Sequence, residues 1–250
     1  MTVTPQQMMI VAAAREIADG DVVFVGMRLP IVAFGVARLT HAPNATGVFE
    51  CGLVRDEPAG GMIYTMADPY NQLHAVWATG LLQVMGQLQQ GRVDVGFIGG
   101  AEIDRFGNIN TSYIGDPARP KVKLPGSGGA ADIAAMAKRL AVIVKHDPRR
   151  LVAKVNFITS PGYLAGGEAR GDVGLSGGPA AVITDCAILR PFGPTRELHL
   201  ASIHPGVDID DLQEKTGWAL ARHPGLSETE PPSADELAAL RAIDRDGYWH

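Results

Sequence analysis

The first fifty residues carry the pattern that most narrows what this chain can become. Residues 22–25 read Val-Val-Phe-Val, an apolar and mostly β-branched run of buried-strand type. Residues 31–39 repeat apolar side chains at helical spacing and stop before Pro43. Residues 46–50 form a second short strand. Strand, helix and strand in that order and at those lengths predict a parallel pair with the crossover helix on one face. The chain is therefore expected to be α/β, with a mostly parallel sheet.

The flanking segments extend this reading. Thr4, Pro5 and Gln7 supply a cap, a first-turn proline and a capping-box partner for an N-terminal helix, with Gly20 as its stop. Leu73, Trp77, Leu81, Val84 and Leu88 predict one long helix ending at Gly91. A strand is expected over 93–98 and a hairpin or crossover around 104–108. A helix is expected over 130–140, and strands near 141–144, 155–159, 181–184 and 198–202. A short helix is predicted over 208–214, a polar loop over 223–232, and a capped helix from Ser233 through Ile243. No internal repeat or linker interrupts residues 1–250, which read as a single domain with a C-terminal helical extension from about 205 to 250.

Composition excludes several functions. The 250 residues are 46% hydrophobic, enough for a substantial core, and carry a net charge of −5 with no basic run. No nucleic-acid partner is expected. No apolar stretch is long enough to span a bilayer and no signal-peptide pattern opens the chain, so no membrane partner is expected and a cytoplasmic location is. Cys51 and Cys186 stand far apart, which fits neither a disulfide framework nor a zinc site. Dinucleotide, P-loop, zinc-protease and nucleophile-elbow signatures are absent.

Two features remain. Glu50 closes an apolar strand just before Gly52, and the carboxyl ends of strands are where sites gather in open α/β sheets. By pattern alone it could equally begin a solvated loop. Residues 125–131, Pro-Gly-Ser-Gly-Gly-Ala-Ala, place glycines directly before a helix, where backbone N–H groups can face an anion. A tight strand-to-helix turn would use the same residues. Taken together, a glutamate nucleophile and aimed N–H donors suit attack on a thioester and stabilisation of the oxyanion it forms.

At this point the residues also match a family. Phe49-Glu50-Cys51-Gly52-Leu53, the run 97–104 (Phe-Ile-Gly-Gly-Ala-Glu-Ile-Asp), and 107–110 (Gly-Asn-Ile-Asn) resemble the second subunit of family I coenzyme A transferases. So do the runs 112–116, 126–130, 159–162, 204–206 and 216–218, in the same order over nearly the whole chain. The likeness is greatest to the beta subunit of glutaconate CoA-transferases.

That resemblance implies the three-layer α/β/α fold of these transferases. It also implies an enzyme moving CoA between an acyl-CoA and a mono- or dicarboxylic acid. Glu50 matches the nucleophile that becomes a glutamyl-CoA thioester. Gly128 and Gly129 match the glycines at the oxyanion, and Gly99, Gly100 and Ala101 match a loop lining the acyl-CoA site. An alpha-type subunit in a hetero-oligomer is implied as partner. No metal, nicotinamide or flavin cofactor is expected, and coenzyme A esters serve as substrates.

The same scaffold admits other chemistries: acyl-CoA hydrolysis, cofactor-free decarboxylation, ring-opening hydrolysis of a CoA ester, or a non-catalytic ligand-binding subunit. Glu50 favours transfer among them. Cys51 stands where the closest pattern has serine, and strand alternation predicts that it faces away from Glu50 into packing. Arg28 follows the first strand and could meet an acid substrate or simply sit at a surface. Tyr70, Asn71, His74 and Trp77 are expected on the long helix, as core or interface. Arg149 and Arg150 are read as solvating a turn, and Lys121 and Lys123 as sheet-edge residues that could also meet CoA phosphates.

Overall fold

The computed structural model describes residues 3–61 and 63–249. Its strands are β1 (Val22–Phe24), β2 (Thr46–Phe49), β3 (Leu53–Arg55), β4 (Trp77–Ala78), β5 (Val95–Ile98), β6 (Glu102–Ile103), β7 (Ile109–Asn110), β8 (Tyr113–Asp116), β9 (Arg119–Lys123), β10 (Arg139–Ile143), β11 (Pro179–Ile183), β12 (Ala187–Phe192), β13 (Glu197–Ile203) and β14 (Arg222–Glu228). Its helices are α1 (Pro5–Ala14), α2 (Leu29–Leu39), α3 (Pro69–Gln72), α4 (Leu81–Gln89), α5 (Ala130–Met136), α6 (Ala169–Asp172), α7 (Ile209–Glu214) and α8 (Ala234–Ile243).

Among the described residues, ten strands form one sheet in the order β14-β13-β12-β11-β10-β5-β1-β2-β3-β4. The centre, β11-β10-β5-β1-β2, is parallel throughout. Antiparallel strands flank it on both sides, β12 and β13 on one and β3 and β4 on the other. The α/β expectation with a mostly parallel sheet holds, and helices cover both faces.

The strand pleat explains the two layers of core. Val23, Phe49 and Ala141 face α1, α2 and α8, while Phe24, Val48 and Val142 face α4, α5 and α7. Phe34 of α2 meets Phe49 edge-on, with ring centroids 6.3 Å apart. Burying each such ring contributes about 1.5–3 kcal/mol. On the opposite face α5 seats at Gly96, where a Cβ would come within 2.4 Å of the Ile133 side chain. Only glycine at 96 lets this helix lie so close to β5, and that closeness fixes where the helix begins.

Both predicted capping boxes form, Thr4 with Gln7 and Ser233 with Glu236. The first helix ends at Ala14, so Ile17 and Gly20 lie in the turn beyond it. Several expectations fail for tertiary reasons. The long helix over 73–91 is three separate pieces. Residues 69–72 form one turn, 77–78 become an edge strand paired with β3, and α4 starts only after Gly80. The stripe that suggested a continuous helix is not a buried face, since Leu73, Trp77 and Leu81 are exposed. Residues 155–159 make no strand; an isolated bridge between Ile109 and Ser160 takes its place. The helix expected to reach 140 stops at Met136, because residues 139–143 are needed as β10 beside β5. The polar loop over 223–232 contains β14, which pairs with β13. The C-terminal segment is thus built into the sheet edge as well as helical.

Buried histidines fasten that segment. His146 is hydrogen-bonded to the hydroxyls of Thr184 and Thr216 at 3.1 and 3.0 Å. His204 Nε2 donates to the Thr184 carbonyl at 2.9 Å, and its Nδ1 lies 2.9 Å from the Thr229 hydroxyl. Desolvation lowers the pKa of both rings below the ordinary histidine value.

Candidate active site

Glu50 is the first residue beyond β2. The pleat that sends Phe49 toward α2 sends the next side chain toward α5. There the backbone N–H of Gly129, the cap residue of α5, donates to Glu50 Oε1 at 3.1 Å. A Cβ at Gly129 would lie 3.1–3.2 Å from all three carboxyl atoms of Glu50. Glycine at 129 therefore permits the contact by leaving space for the carboxylate. Gly128 lies beside it, with φ +49 and a Cβ position 3.8 Å from Glu50 Oε1.

The glycine loop rests on a polar platform. Gly126 N–H donates to the Thr111 carbonyl at 2.8 Å, and Leu124 N–H to that of Ser112 at 3.0 Å. The Thr159 hydroxyl accepts from Thr111 N–H at 2.9 Å and lies 2.7 Å from the Ser112 hydroxyl. Below, buried Glu102 accepts from Asn110 Nδ2 at 2.7 Å and from both N–H groups of Asn156 at 2.9 and 2.6 Å. Asn108 Oδ1 accepts from the N–H groups of Gly162 and Leu164, both at 3.0 Å. The sequence runs at 97–104, 107–110, 112–116, 126–130 and 159–162 thus converge on one scaffold. The roles of Glu102, Asn110 and Asn156 in it were not evident beforehand. Their donors converge on the buried Glu102 carboxylate from distant parts of the chain, and no local pattern marks that.

The other predicted site residues separate into two places. Gly99 and Gly100 line a neighbouring cleft of about 720 Å³ at the carboxyl ends of β1, β5 and β10, together with Gly26, Arg28, Lys145 and Arg150. Ala101 does not line it; its N–H donates to the Asn110 carbonyl at 3.1 Å. Arg150 is no simple turn residue, since its Nη1 donates to the Gly100 carbonyl at 2.9 Å. Arg149 pairs with Asp147 at the surface. Lys121 and Lys123 are exposed on β9, in the hairpin that leads to the glycine loop.

Cys51 departs from expectation. The strand has ended by residue 51, Gly52 N–H turns back to the Phe49 carbonyl at 2.9 Å, and the cysteine is exposed. Its thiol donates to the Met66 carbonyl at 3.1 Å. Partial desolvation, with the Glu50 charge adding to it, pushes the thiol pKa above its ordinary value. At neutral pH it is a protonated thiol beside the glutamate. No group of three or more His, Cys, Asp or Glu side chains able to hold a metal occurs among the described residues, and none of their helices is long and apolar enough to cross a membrane.

A carboxylate at a strand end is thus held by a glycine N–H at a helix start on an open α/β sheet. The chain belongs to the Coenzyme A transferase family, which it matches over residues 6–215. It is 43% identical over 249 residues to the B-type subunit of the 3-oxoadipate CoA-transferase of Pseudomonas knackmussii, covering 95% of this chain and 92% of that one. It is 34% identical over 224 residues to the B-type subunit of the glutaconate CoA-transferase of Acidaminococcus fermentans, covering 87% and 84% of the two chains. The crystal structure of that organism's glutaconate coenzyme A-transferase superposes with a TM-score of 0.91 at 31% identity, over 98% of this chain and 96% of the other. The decarboxylase AibA/AibB has the same fold, with a TM-score of 0.85 at 28% identity over 99% and 98% of the chains. The expectation of a CoA-transferring enzyme agrees with these likenesses.

Proposed function

We propose that this chain carries the nucleophile of a CoA transferase acting between an acyl-CoA and a dicarboxylic acid, with Glu50 as the attacking group. The single observation that carries the reading is the hydrogen bond from Gly129 N–H to Glu50 Oε1. It fixes a carboxylate at the carboxyl edge of the sheet and aims a donor at the oxygen that becomes the carbonyl oxygen of the glutamyl-CoA thioester.

One oxygen of Glu50 attacks the thioester carbonyl, the C–S bond breaks, and CoA leaves as thiolate from a glutamyl–acyl anhydride. The thiolate then attacks the glutamyl carbonyl of that anhydride, expelling the first acid as carboxylate and leaving CoA on Glu50. The Gly129 N–H faces the oxyanion of this second attack, a placement that typically contributes about 10²–10³ in rate. The acceptor carboxylate reverses the two steps and leaves as acyl-CoA, which gives ping-pong kinetics. No metal or redox cofactor enters these steps. Gly99 and Gly100 form the side of the cleft along which the acyl group lies.

An alpha-type subunit completes the site. Its docking surface is the apolar area formed by Tyr70, Leu73, Val76, Trp77, Leu81 and Leu82, all exposed. This area includes the edge strand β4, which pairs through β3 with β2, the strand that leads to Glu50. Several apolar residues exposed together at a sheet edge are a liability that a partner removes. CoA chemistry on soluble acids and two unpaired thiols accord with a cytoplasmic enzyme.

Decarboxylation on the same scaffold is the weaker reading, because Glu50 is present and held. The test is to incubate the assembled enzyme with acetyl-CoA and succinyl-CoA in turn, reduce with borohydride, and examine the Glu50 peptide by mass spectrometry. Reduction of Glu50 in parallel with loss of activity supports the thioester. Turnover of acyl-CoA with Glu50 untouched rejects it.

A further inference from the structure

Arg55, the last residue of β3, is only 2% exposed, yet no carboxylate pairs with it among the described residues. Its guanidinium is held by backbone oxygens instead. Nε donates to the Glu57 carbonyl at 3.1 Å, Nη1 to those of Asn71 and Leu73 at 2.7 and 2.6 Å, and Nη2 to that of Pro58 at 3.3 Å. One side chain therefore clamps residues 57–58 to residues 71–73, the two ends of a loop. A buried cation is tolerated where acceptors converge on it, and the rigid fork of guanidinium donors suits four carbonyls as a lysine would not.

This loop meets the Glu50 turn through Met66. Asp68 folds residues 65–68 into a turn, accepting from Thr65 N–H at 3.0 Å and from Thr65 Oγ1 at 3.2 Å. Within that turn the Met66 carbonyl accepts from Asn71 Nδ2 at 2.6 Å and from Cys51 Sγ at 3.1 Å. Asn71 is buried, and its own carbonyl is one of those that Arg55 holds. The contacts thus run from Arg55 to Asn71, from Asn71 to Met66, and from Met66 to Cys51, the neighbour of Glu50. On the other side of the turn Gly52 N–H donates to the Phe49 carbonyl at 2.9 Å, and the Gly52 carbonyl accepts from Thr79 N–H at 2.8 Å. Glu50 itself is met by Gly129. Residues 50–52 are therefore fixed from three directions, and the clamped loop supplies the hold on Cys51.

Resting on the transferase reading, we propose that Arg55 is a positioning residue, which fixes the loop that holds the Glu50–Gly52 turn and so sets the aim of the Glu50 carboxylate. Arg55 acts through Met66 and Cys51 rather than on the substrate, so its effect falls on kcat and leaves KM nearly unchanged. Misplacing a reacting group by about 1 Å costs on the order of 10²-fold in rate. A residue that only stabilised β3 would lower Tm with no dependence on Cys51.

The experiment measures kcat and KM of the enzyme assembled with its alpha-type subunit. In R55Q kcat falls about 10–100-fold, and R55K recovers part of the loss. C51A, which removes the donor to Met66, lowers kcat about 2–10-fold, and C51S, whose hydroxyl can donate in its place, restores it. In R55Q/C51A the loss is no larger than in R55Q alone, because both substitutions break one link. Losses that multiply in the double variant, or wild-type kcat in R55Q, overturn the proposal. Should R55Q fail to assemble, the cysteine variants decide: a loss in C51A that C51S restores supports the link, and equal kcat in the two overturns it. A wild-type enzyme with Glu50 trapped as a thioester, alongside any of these overturning results, leaves the transferase reading intact. Failure to trap Glu50 with any acyl-CoA removes both.

Discussion

Glu50 and Gly129 are 79 residues apart in sequence and joined by one hydrogen bond of 3.1 Å from backbone N–H to carboxylate. The bond requires three independent placements: the end of β2, the seating of α5 on Gly96, and the turn of the glycine loop. Each is a packing result, and together they bring a carboxylate and a backbone N–H donor to one edge of the sheet.

Replacing Glu50 by Gln removes the proposed nucleophile while keeping the side chain's shape. Transferase activity is expected to fall by about 10³-fold or more. Thermal unfolding stays near wild type, and the borohydride-trapped peptide disappears. Steady-state assay of the assembled enzyme with intact-protein mass spectrometry checks this.

Gly129→Ala separates space from donation. The φ of −79 suits alanine, so the fold tolerates it, yet the new methyl meets the Glu50 carboxylate at 3.1–3.2 Å. The expected outcome is a 10–100-fold loss in kcat (about 1.4–2.7 kcal/mol), with a stability change under about 1 kcal/mol. A Tm loss as large as that of a core mutant would refute this account of Gly129.

Arg28, in the turn between β1 and α2, has φ +71 and ψ −121, a conformation that glycine adopts freely, and Arg28→Gly relieves its strain. Such strain costs on the order of 1–3 kcal/mol, and in a chain of this size each kcal/mol moves Tm by about 2–4 °C. The substitution is expected to raise Tm, measured by calorimetry. An unchanged or lower Tm would show that the conformation carries no strain to release.

Leu82 is 80% exposed, so Leu82→Asp costs the isolated chain little, within about 0.5 kcal/mol. In the assembled enzyme it places a charge in the proposed apolar interface. Co-purification with the alpha-type subunit should fail while the circular dichroism of the chain alone is unchanged. Full recovery of the complex would move the interface elsewhere.

The buried histidines set an acid limit. Burial lowers the folded-state pKa of His146 and His204 below the ordinary 6.5. The unfolded chain therefore takes up protons first as pH falls. Their contribution to stability is whole above about pH 6.5 and is lost below it, at up to about 1.4 kcal/mol per pH unit for each ring. Denaturant midpoints measured from pH 8 to 5 should drop on the acid side, and His146→Gln should flatten part of that drop.

The site was legible to different depths. Glu50 could be found because a carboxylate ending an apolar strand is a local pattern, and the glycine loop because glycines before a helix are one too. The separation of Gly128 and Gly129 from Gly99 and Gly100 was not legible, since the two pairs end different connections and the sheet decides which one reaches Glu50. Cys51 was misread because alternation was carried one residue past the end of β2. Arg28 gave no signal of strain, because strain belongs to φ and ψ and leaves no trace in residue type.

The sequence by itself determined what lies within one element or one turn. It set the capping boxes at Thr4 and Ser233, the strand–helix–strand order that commits the chain to a parallel centre, and the residue types at the two candidate loops. These follow from short-range hydrogen bonding and periodicity. Tertiary structure alone decided the break of residues 69–91 into turn, edge strand and helix. It also recruited 222–228 to the sheet, assembled the network around Glu102, and aligned Gly129 with Glu50. An edge strand forms where a neighbour offers unpaired backbone groups, and a buried carboxylate is tolerated where donors converge on it. Both conditions are set by residues distant in the chain.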